Sequence, residues 1–263
     1  MDLKLTYKLA LVSGSTAGIG YAIAESLARE GARVIVNGRT EAAVADAVAK
    51  LKAATGADAL GFAGDLGTAA AVDALGRQYP DVEILVNNLG IFEAKPFEEI
   101  PDADWMRFFE VNVLSGVRLA RLYLPSMKQR NWGRIIFISS ESAVQIPTEM
   151  IHYGTTKTAQ LAVSRGLAES VAGTGITVNS ILPGPTKSRG VADFVDTLAK
   201  AEGQTFEQFE KAFFEKARPT SLIKRFAAPE EVASLVTYIA SPLASATTGA
   251  ALRADGGVVK SAF

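Results

Sequence analysis

The feature that most constrains this chain stands near its start: a strand, a glycine-rich turn and a helix in immediate succession. Lys8-Leu9-Ala10-Leu11-Val12-Ser13 is a short apolar run that reads as a buried strand. It empties into Gly14-Ser15-Thr16-Ala17-Gly18-Ile19-Gly20, and a helical pattern follows over 21–30. Glycines let the backbone approach a ligand closely, and a helix N-terminus offers free N–H groups and the positive end of a dipole. The spacing is G-x-x-x-G-x-G, not the G-x-G-x-x-G of the common dinucleotide fingerprint. A plain turn is the alternative, and the strand before it and the helix after it tip the reading toward nucleotide binding.

The same rhythm repeats along the chain. Arg33-Val34-Ile35-Val36-Asn37, a run over 57–64, Glu83-Ile84-Leu85-Val86, Arg134-Ile135-Ile136-Phe137-Ile138, Thr177-Val178-Asn179-Ser180-Ile181-Leu182 and a short run over 250–253 read as strands. Helical patterns over 41–54, from about 68 onward, and over 104–128 fall between them. Strands alternating with helices predict a Rossmann-type, doubly wound parallel sheet in a single three-layer α/β domain, with ligands at the carboxyl edge. Between about 187 and 225 the strand rhythm lapses, and Phe206, Phe209 and Phe213 recur at helical spacing with Phe214 adjacent. The stretch is too long for an ordinary connection and reads as a helical lid. Its aromatics either pin it to the core or line an apolar substrate pocket. Pro229-Glu230-Glu231 opens a further helix.

The strand ends carry the polar residues. The second strand runs into Asn37-Gly38-Arg39-Thr40, with no carboxylate for a ribose diol and with Arg39 available to a 2′-phosphate, which favours NADP over NAD. Asp65, followed by Leu66, is placed to meet an adenine amino group or to cap the next helix. Asn87-Asn88-Leu89-Gly90 closes the fourth strand, its amides tying neighbouring strands or touching a cofactor. Asn112 sits among apolar residues and needs partners. Its role is structural, or it marks a bent helix whose freed carbonyl holds a water. Ser139-Ser140 ends the fifth strand. Tyr153 and Lys157 are four apart, so a helix puts them on one face. A free tyrosine titrates near ~10, and an ammonium beside it lowers that value toward the range of acid–base work at neutral pH. Glu141 and Glu149 flank this stretch, either facing a hydroxylated or cationic substrate or standing as solvated loop acids.

Composition removes competing chemistries. With no cysteine and His152 as the only histidine, there are no disulfides, thiol nucleophiles or Cys/His zinc sites, and no metal site is expected. No G-x-S-x-G elbow accompanies the one histidine. A net charge of -1 points to neither a nucleic-acid partner nor a membrane surface. The opening residues lack an apolar signal core, so a cytoplasmic location is the expectation.

In order and spacing, Gly14-x-x-x-Gly18-Ile19-Gly20, Asn87-Asn88-Leu89-Gly90, Asn112, Ser140, Tyr153-x-x-x-Lys157 and Pro183-Gly184 resemble the short-chain dehydrogenase/reductase family, along nearly the whole chain. Its NADP-dependent members, such as 3-oxoacyl-[acyl-carrier-protein] reductases, are the ones it looks like. The resemblance implies hydride transfer between NADP(H) and a carbonyl or secondary alcohol. The alternatives are an NAD-preferring dehydrogenase of a sugar or steroid alcohol, and a non-catalytic nucleotide-binding scaffold. It implies Tyr153 as general acid and base, with Lys157 lowering its pKa and holding the nicotinamide ribose. Ser140 would bond the substrate oxygen, and Asn112 would position a relay water. It also implies cofactor contacts at Gly14, Ser15, Thr16, Gly18, Ile19, Gly20, Arg39, Asp65, Leu66, Asn88, Gly90, Tyr153, Lys157, Pro183, Gly184 and Thr186. Leu89 departs from the family's alanine and loosens the expected contacts at that turn. The resemblance implies a small-molecule substrate and a homotetramer or homodimer.

Overall fold

The computed structural model describes residues 1–187 and 205–262. Seven strands form one parallel sheet in the order β3-β2-β1-β4-β5-β6-β7. They are β1 (Leu9–Val12), β2 (Arg33–Gly38), β3 (Ala59–Ala63), β4 (Ile84–Asn87), β5 (Gly133–Ile138), β6 (Ile176–Pro183) and β7 (Ala251–Ala254). Nearly every residue of β1, β2, β4, β5 and β6 is buried. This is the expected state of a parallel sheet covered on both faces, and it explains why these strands read as continuous apolar runs without alternation.

Two apolar clusters fill the space on the two faces. One gathers Val12, Val34, Val36, Ile84, Val86, Ile136 and Ile138 with α1 (Gly18–Arg29) and with the helix Pro229–Ala240. The other gathers Leu11, Ile35, Leu85, Ile135 and Phe137 with Leu75, Leu119 and Tyr123. Successive strand residues thus feed opposite faces, as the two-residue period of a strand requires. Both clusters draw on the central strands, and all strand C-termini meet at one edge.

The crossover helices are α1, α2 (Glu41–Thr55), α3 (Ala69–Gln78), α4 (Asp102–Phe109), α5 (Ser115–Gln129) and α6 (Ile151–Ser170). After residue 204 come α7 (Phe206–Lys216) and α8 (Pro229–Ala240). Helix α1 starts at Gly18, earlier than its apolar pattern shows, because the glycines of its first turn carry no periodic signal. The helical pattern over 104–128 is real but interrupted: a π-helical turn, Glu110–Leu114, joins α4 to α5 and frees backbone groups there.

Of the segment expected to form a lid, 188–204 lie outside the described residues. In the rest, Phe206, Phe209, Phe213 and Phe214 pack on one another and on Phe226, a small cluster apart from the two main ones. The aromatics therefore hold this segment together more than they open a pocket. Helix α7 begins with a capping box, Thr205 and Gln208 satisfying each other's backbone donors. Asp65 caps no helix. Its carboxylate accepts from the Gly67 N–H at 3.0 Å, and Thr68 is the N-cap of α3.

Candidate active site

Both glycine positions that open the turn need a left-handed backbone, with φ +61° at Gly14 and +60° at Gly18. Gly20 is required for space: a Cβ there would lie 2.5 Å from both Asn88 Nδ2 and the Gly14 carbonyl oxygen. Ala17 precedes α1 without a side-chain cap, so the first-turn N–H groups have no side-chain acceptor. Ser13 and Asn88 hold the turn in place. The Ser13 hydroxyl oxygen accepts from the N–H groups of Asn88 and Leu89, each at 2.9 Å. Asn88 Nδ2 donates to the carbonyls of Ser13 (2.9 Å) and Gly14 (3.0 Å). Asn37 completes the frame, donating to the Phe62 and Gly64 carbonyls and accepting from the Gly14 N–H.

These bonds sort the residues expected at the cofactor. Thr16, Gly18 and Ile19 remain partly open at the surface. Ser15 does not: its hydroxyl donates to the Val12 carbonyl at 2.6 Å and accepts from the Asn37 N–H, and its own N–H goes to the Asn37 carbonyl. It is an internal brace. Leu66 is buried in the core, which leaves its backbone alone to face a ligand. The Thr186 hydroxyl is turned inward to the Gly184 carbonyl at 2.9 Å. Gly184 packs against the Asp255 backbone, where a Cβ would approach to 2.6 Å. Leu89 packs beside the second core cluster, and its N–H is held by Ser13. Arg39 is exposed and enters no ion pair or hydrogen bond among the described residues. The cradle thus fits a dinucleotide: an uncapped helix terminus, glycines that a Cβ would fill, and a free cation at the end of β2.

Asn112, Ser140, Tyr153 and Lys157 converge at the same sheet edge. Helix α6 carries Tyr153 and Lys157, and the Lys157 Nζ stands 5.6 Å from the centre of the Tyr153 ring. Lys157 is buried, and Nζ donates to the Ile138 carbonyl at 2.9 Å and to Gln160 Oε1 at 3.4 Å. Burial pulls its pKa down to about 8. Tyr153 departs from expectation. Burial pushes its phenol up to about 12, Glu141 adds to the rise, and a hydrogen bond with Ser140 and the charge of Arg218 oppose it. The buried ammonium, turned onto a backbone carbonyl and an amide, does not reverse the effect of desolvation.

Asn112 is wholly buried with a filled side chain. It accepts from the Ile91 N–H at 2.7 Å and donates to the Ile91 carbonyl and to Thr156 Oγ1, each at 3.0 Å. Asn112 lies in the π-helical turn, and Gln160 Nε2 donates to the Asn112 carbonyl at 2.5 Å, filling one of its two lone pairs. Gln160 therefore joins Asn112 to Lys157, a link the sequence reading missed. A Cβ on exposed Gly90 would lie 3.4 Å from both Asn112 Oδ1 and Lys157 Nζ, so this glycine keeps the approach to the lysine open.

Two further groups escaped the sequence reading. Phe92, 57% exposed, stands edge-on to Tyr153 with ring centres 6.4 Å apart. Arg218 donates from Nε to Glu141 Oε1 at 2.9 Å and from Nη1 to Glu149 Oε1 at 3.3 Å. Glu141 is buried. It is neither a solvated acid nor free to face a substrate. Among the described residues no group of three or more His, Cys, Asp or Glu is placed to hold a metal ion.

A phenol, a hydroxyl and an ammonium gathered beside an uncapped glycine turn define an enzyme of the nucleotide-dependent oxidoreductase class. The comparisons agree. The family model described as enoyl-(acyl carrier protein) reductase matches residues 14–259. The oxidoreductase YvaG of Bacillus subtilis (strain 168) is 52% identical over 265 residues, covering 100% of each chain. D-beta-hydroxybutyrate dehydrogenase of Cupriavidus necator is 34% identical, covering 97% of this chain and 99% of its own. The crystal structure of L-sorbose reductase from Gluconobacter frateurii, complexed with NADPH and L-sorbose, superposes with a TM-score of 0.93 at 33% identity, covering 99% of this chain and 100% of that one. The chain belongs to the short-chain dehydrogenase/reductase family. It is an oxidoreductase that moves hydride between a nicotinamide dinucleotide and a carbonyl or alcohol.

Proposed function

We propose that this chain is an NADP-dependent reductase of small-molecule carbonyls, reversible to alcohol oxidation, with Tyr153 as its proton carrier. The observation that carries the reading is the convergence of Tyr153, Ser140 and Lys157 beside the glycine turn. In that role Gly14, Thr16, Gly18, Ile19 and Gly20 cradle the pyrophosphate, and Arg39 takes the 2′-phosphate. The backbone near Asp65 and Leu66 borders the adenine. Asn88, Gly90, Lys157, Pro183, Gly184 and Thr186 frame the remainder. When bound, the nicotinamide supplies or accepts the hydride and, oxidised, brings a positive charge.

The chain's own residues manage the proton. Tyr153 donates it to the carbonyl oxygen in reduction and takes it back in oxidation. Ser140 shares that oxygen's site. Lys157, linked through Gln160 to the Asn112 carbonyl, holds charge and position next to the phenol. Its pKa of about 8 keeps it an ammonium at neutral pH. The described part of the expected lid, 205–225, covers the site, supported by the Arg218 contacts that tie it to Glu141 and Glu149. A cytoplasmic homotetramer completes the reading, supported for assembly by exposed Met106 and Leu114 along the α4–α5 helical run. No helix among the described residues is long and apolar enough to cross a membrane.

The test is turnover of a ketone panel with NADPH, followed by absorbance, for the wild type and Tyr153→Phe. Turnover abolished by the substitution supports the reading. A broad panel without turnover, or a Tyr153→Phe variant that keeps its activity, refutes it.

A further inference from the structure

Gln160 lies one turn beyond Lys157 on the buried face of α6 and is itself 2% exposed. Its amide stands between two groups of opposite demand. On one side is the Asn112 carbonyl, which only accepts, 2.5 Å from Nε2. On the other is the Lys157 ammonium, which only donates, 3.4 Å from Oε1. Turned over, the amide would set oxygen against oxygen and donor against donor. The bond to Asn112 therefore fixes which end of the amide the lysine meets. Asn112 is itself held: its side chain is bonded to the Ile91 backbone and to Thr156 Oγ1, and Thr156 precedes Lys157 on α6.

Lys157 has few other acceptors. Its ammonium is buried and enters no ion pair among the described residues. Of its three hydrogens, one goes to the Ile138 carbonyl at 2.9 Å and one to Gln160 Oε1. The third has no partner among the described residues, and Gly90, where a Cβ would lie 3.4 Å from Nζ, leaves space beside it. Burial disfavours the charged form, and hydrogen bonds to that form oppose the effect.

We propose that Gln160 is a positioning residue for the reaction: with its amide nitrogen pinned to the Asn112 carbonyl, its oxygen keeps Lys157 an ammonium and leaves one hydrogen of that ammonium for the ligand side. This rests on the role given to Lys157 beside Tyr153. The groups facing Nζ are the Ile138 carbonyl at the end of β5, Gln160 and the Tyr153 ring on α6, and Gly90 after β4; the phenol is the titratable one among them.

Two variants separate this role from a merely structural one. Gln160→Met keeps the length of the side chain and removes both polar ends. Gln160→Glu keeps an acceptor beside Lys157, adds a negative charge and removes the donor from the Asn112 carbonyl. A residue that only held the π-helical turn would fail alike in both. Under the proposal they diverge. In Gln160→Met the ammonium loses one of its two acceptors, so its ionisation constant rises roughly tenfold and Lys157 titrates about one unit lower. In Gln160→Glu the opposite charge favours the ammonium, and the titration moves up. The probe is the Lys157 ¹³Cε resonance in lysine-labelled full-length protein, assigned by its loss in Lys157→Met. The alkaline limb of kcat/KM for ketone reduction with NADPH follows it, downward in Gln160→Met and upward in Gln160→Glu. Gln160→Leu takes the place of Gln160→Met if that variant fails to fold. A Lys157 titration unmoved by loss of the amide, or lowered in both variants, overturns the proposal. An active Tyr153→Phe sinks the role beneath it and leaves the Lys157 titration as measured.

Discussion

Replacing Arg39 by alanine isolates the preference for NADP from everything else the fold does. Arg39 follows β2, is exposed, and has no hydrogen bond or ion pair among the described residues. Its removal therefore breaks no contact among the described residues, and a surface change of this kind stays within about 0.5 kcal/mol of the wild-type stability. At ~2–4 °C per kcal/mol for a chain of this size, the melting temperature moves by less than about 2 °C. A charge-assisted hydrogen bond to a phosphate contributes about 1.5–3 kcal/mol, a factor of roughly 10 to 150. Exposure and salt screening favour the lower part of that range. The ratio of kcat/KM with NADPH to kcat/KM with NADH is then expected to fall about 10- to 30-fold in Arg39→Ala, by loss on the NADPH side alone. The effect grows at low salt. Steady-state kinetics with both cofactors on one ketone, at two ionic strengths, measures it. A ratio unchanged within about twofold, with activity intact, means that Arg39 does not read the 2′-phosphate and that the missing carboxylate after β2 was misread.

Two pH dependences follow from buried bases. Lys157 is pulled by burial to about 8, so the free enzyme loses its ammonium above that pH. The kcat/KM for carbonyl reduction, which reports free-enzyme ionisations, is expected to fall above about pH 8, and a profile flat to pH 9.5 contradicts the role given to this amine. His152 is fully buried against Phe108 and Trp105, neither ring nitrogen has a partner among the described residues, and burial lowers its pKa. The unfolded chain takes up a proton near ~6.5 where the folded one does not, so stability declines as pH falls below about 6.5. His152→Phe flattens that part of the urea-denaturation profile; an unchanged slope shows that another group sets acid stability.

The strand rhythm and the glycine turn were legible because they are local. A buried parallel strand must be apolar on both faces, and a left-handed turn residue must lack a Cβ, so each constraint is written into a few adjacent residues. The same holds for Tyr153 and Lys157, which one helical turn brings together. The pairing of polar groups was not legible. Glu141 meets Arg218 across 77 residues, Asn88 meets Ser13 across 75, and Gln160 meets Asn112 across 48. Such partners are chosen by the strand order, which sets β1 beside β4, and by where the chain returns after α7. Burial is decided there too. The sequence supplied a phenol and an amine at helical spacing. The tertiary structure buried the amine and half-buried the phenol, lowering one and raising the other, because desolvation depends on what packs around a group and not on its neighbours in the chain.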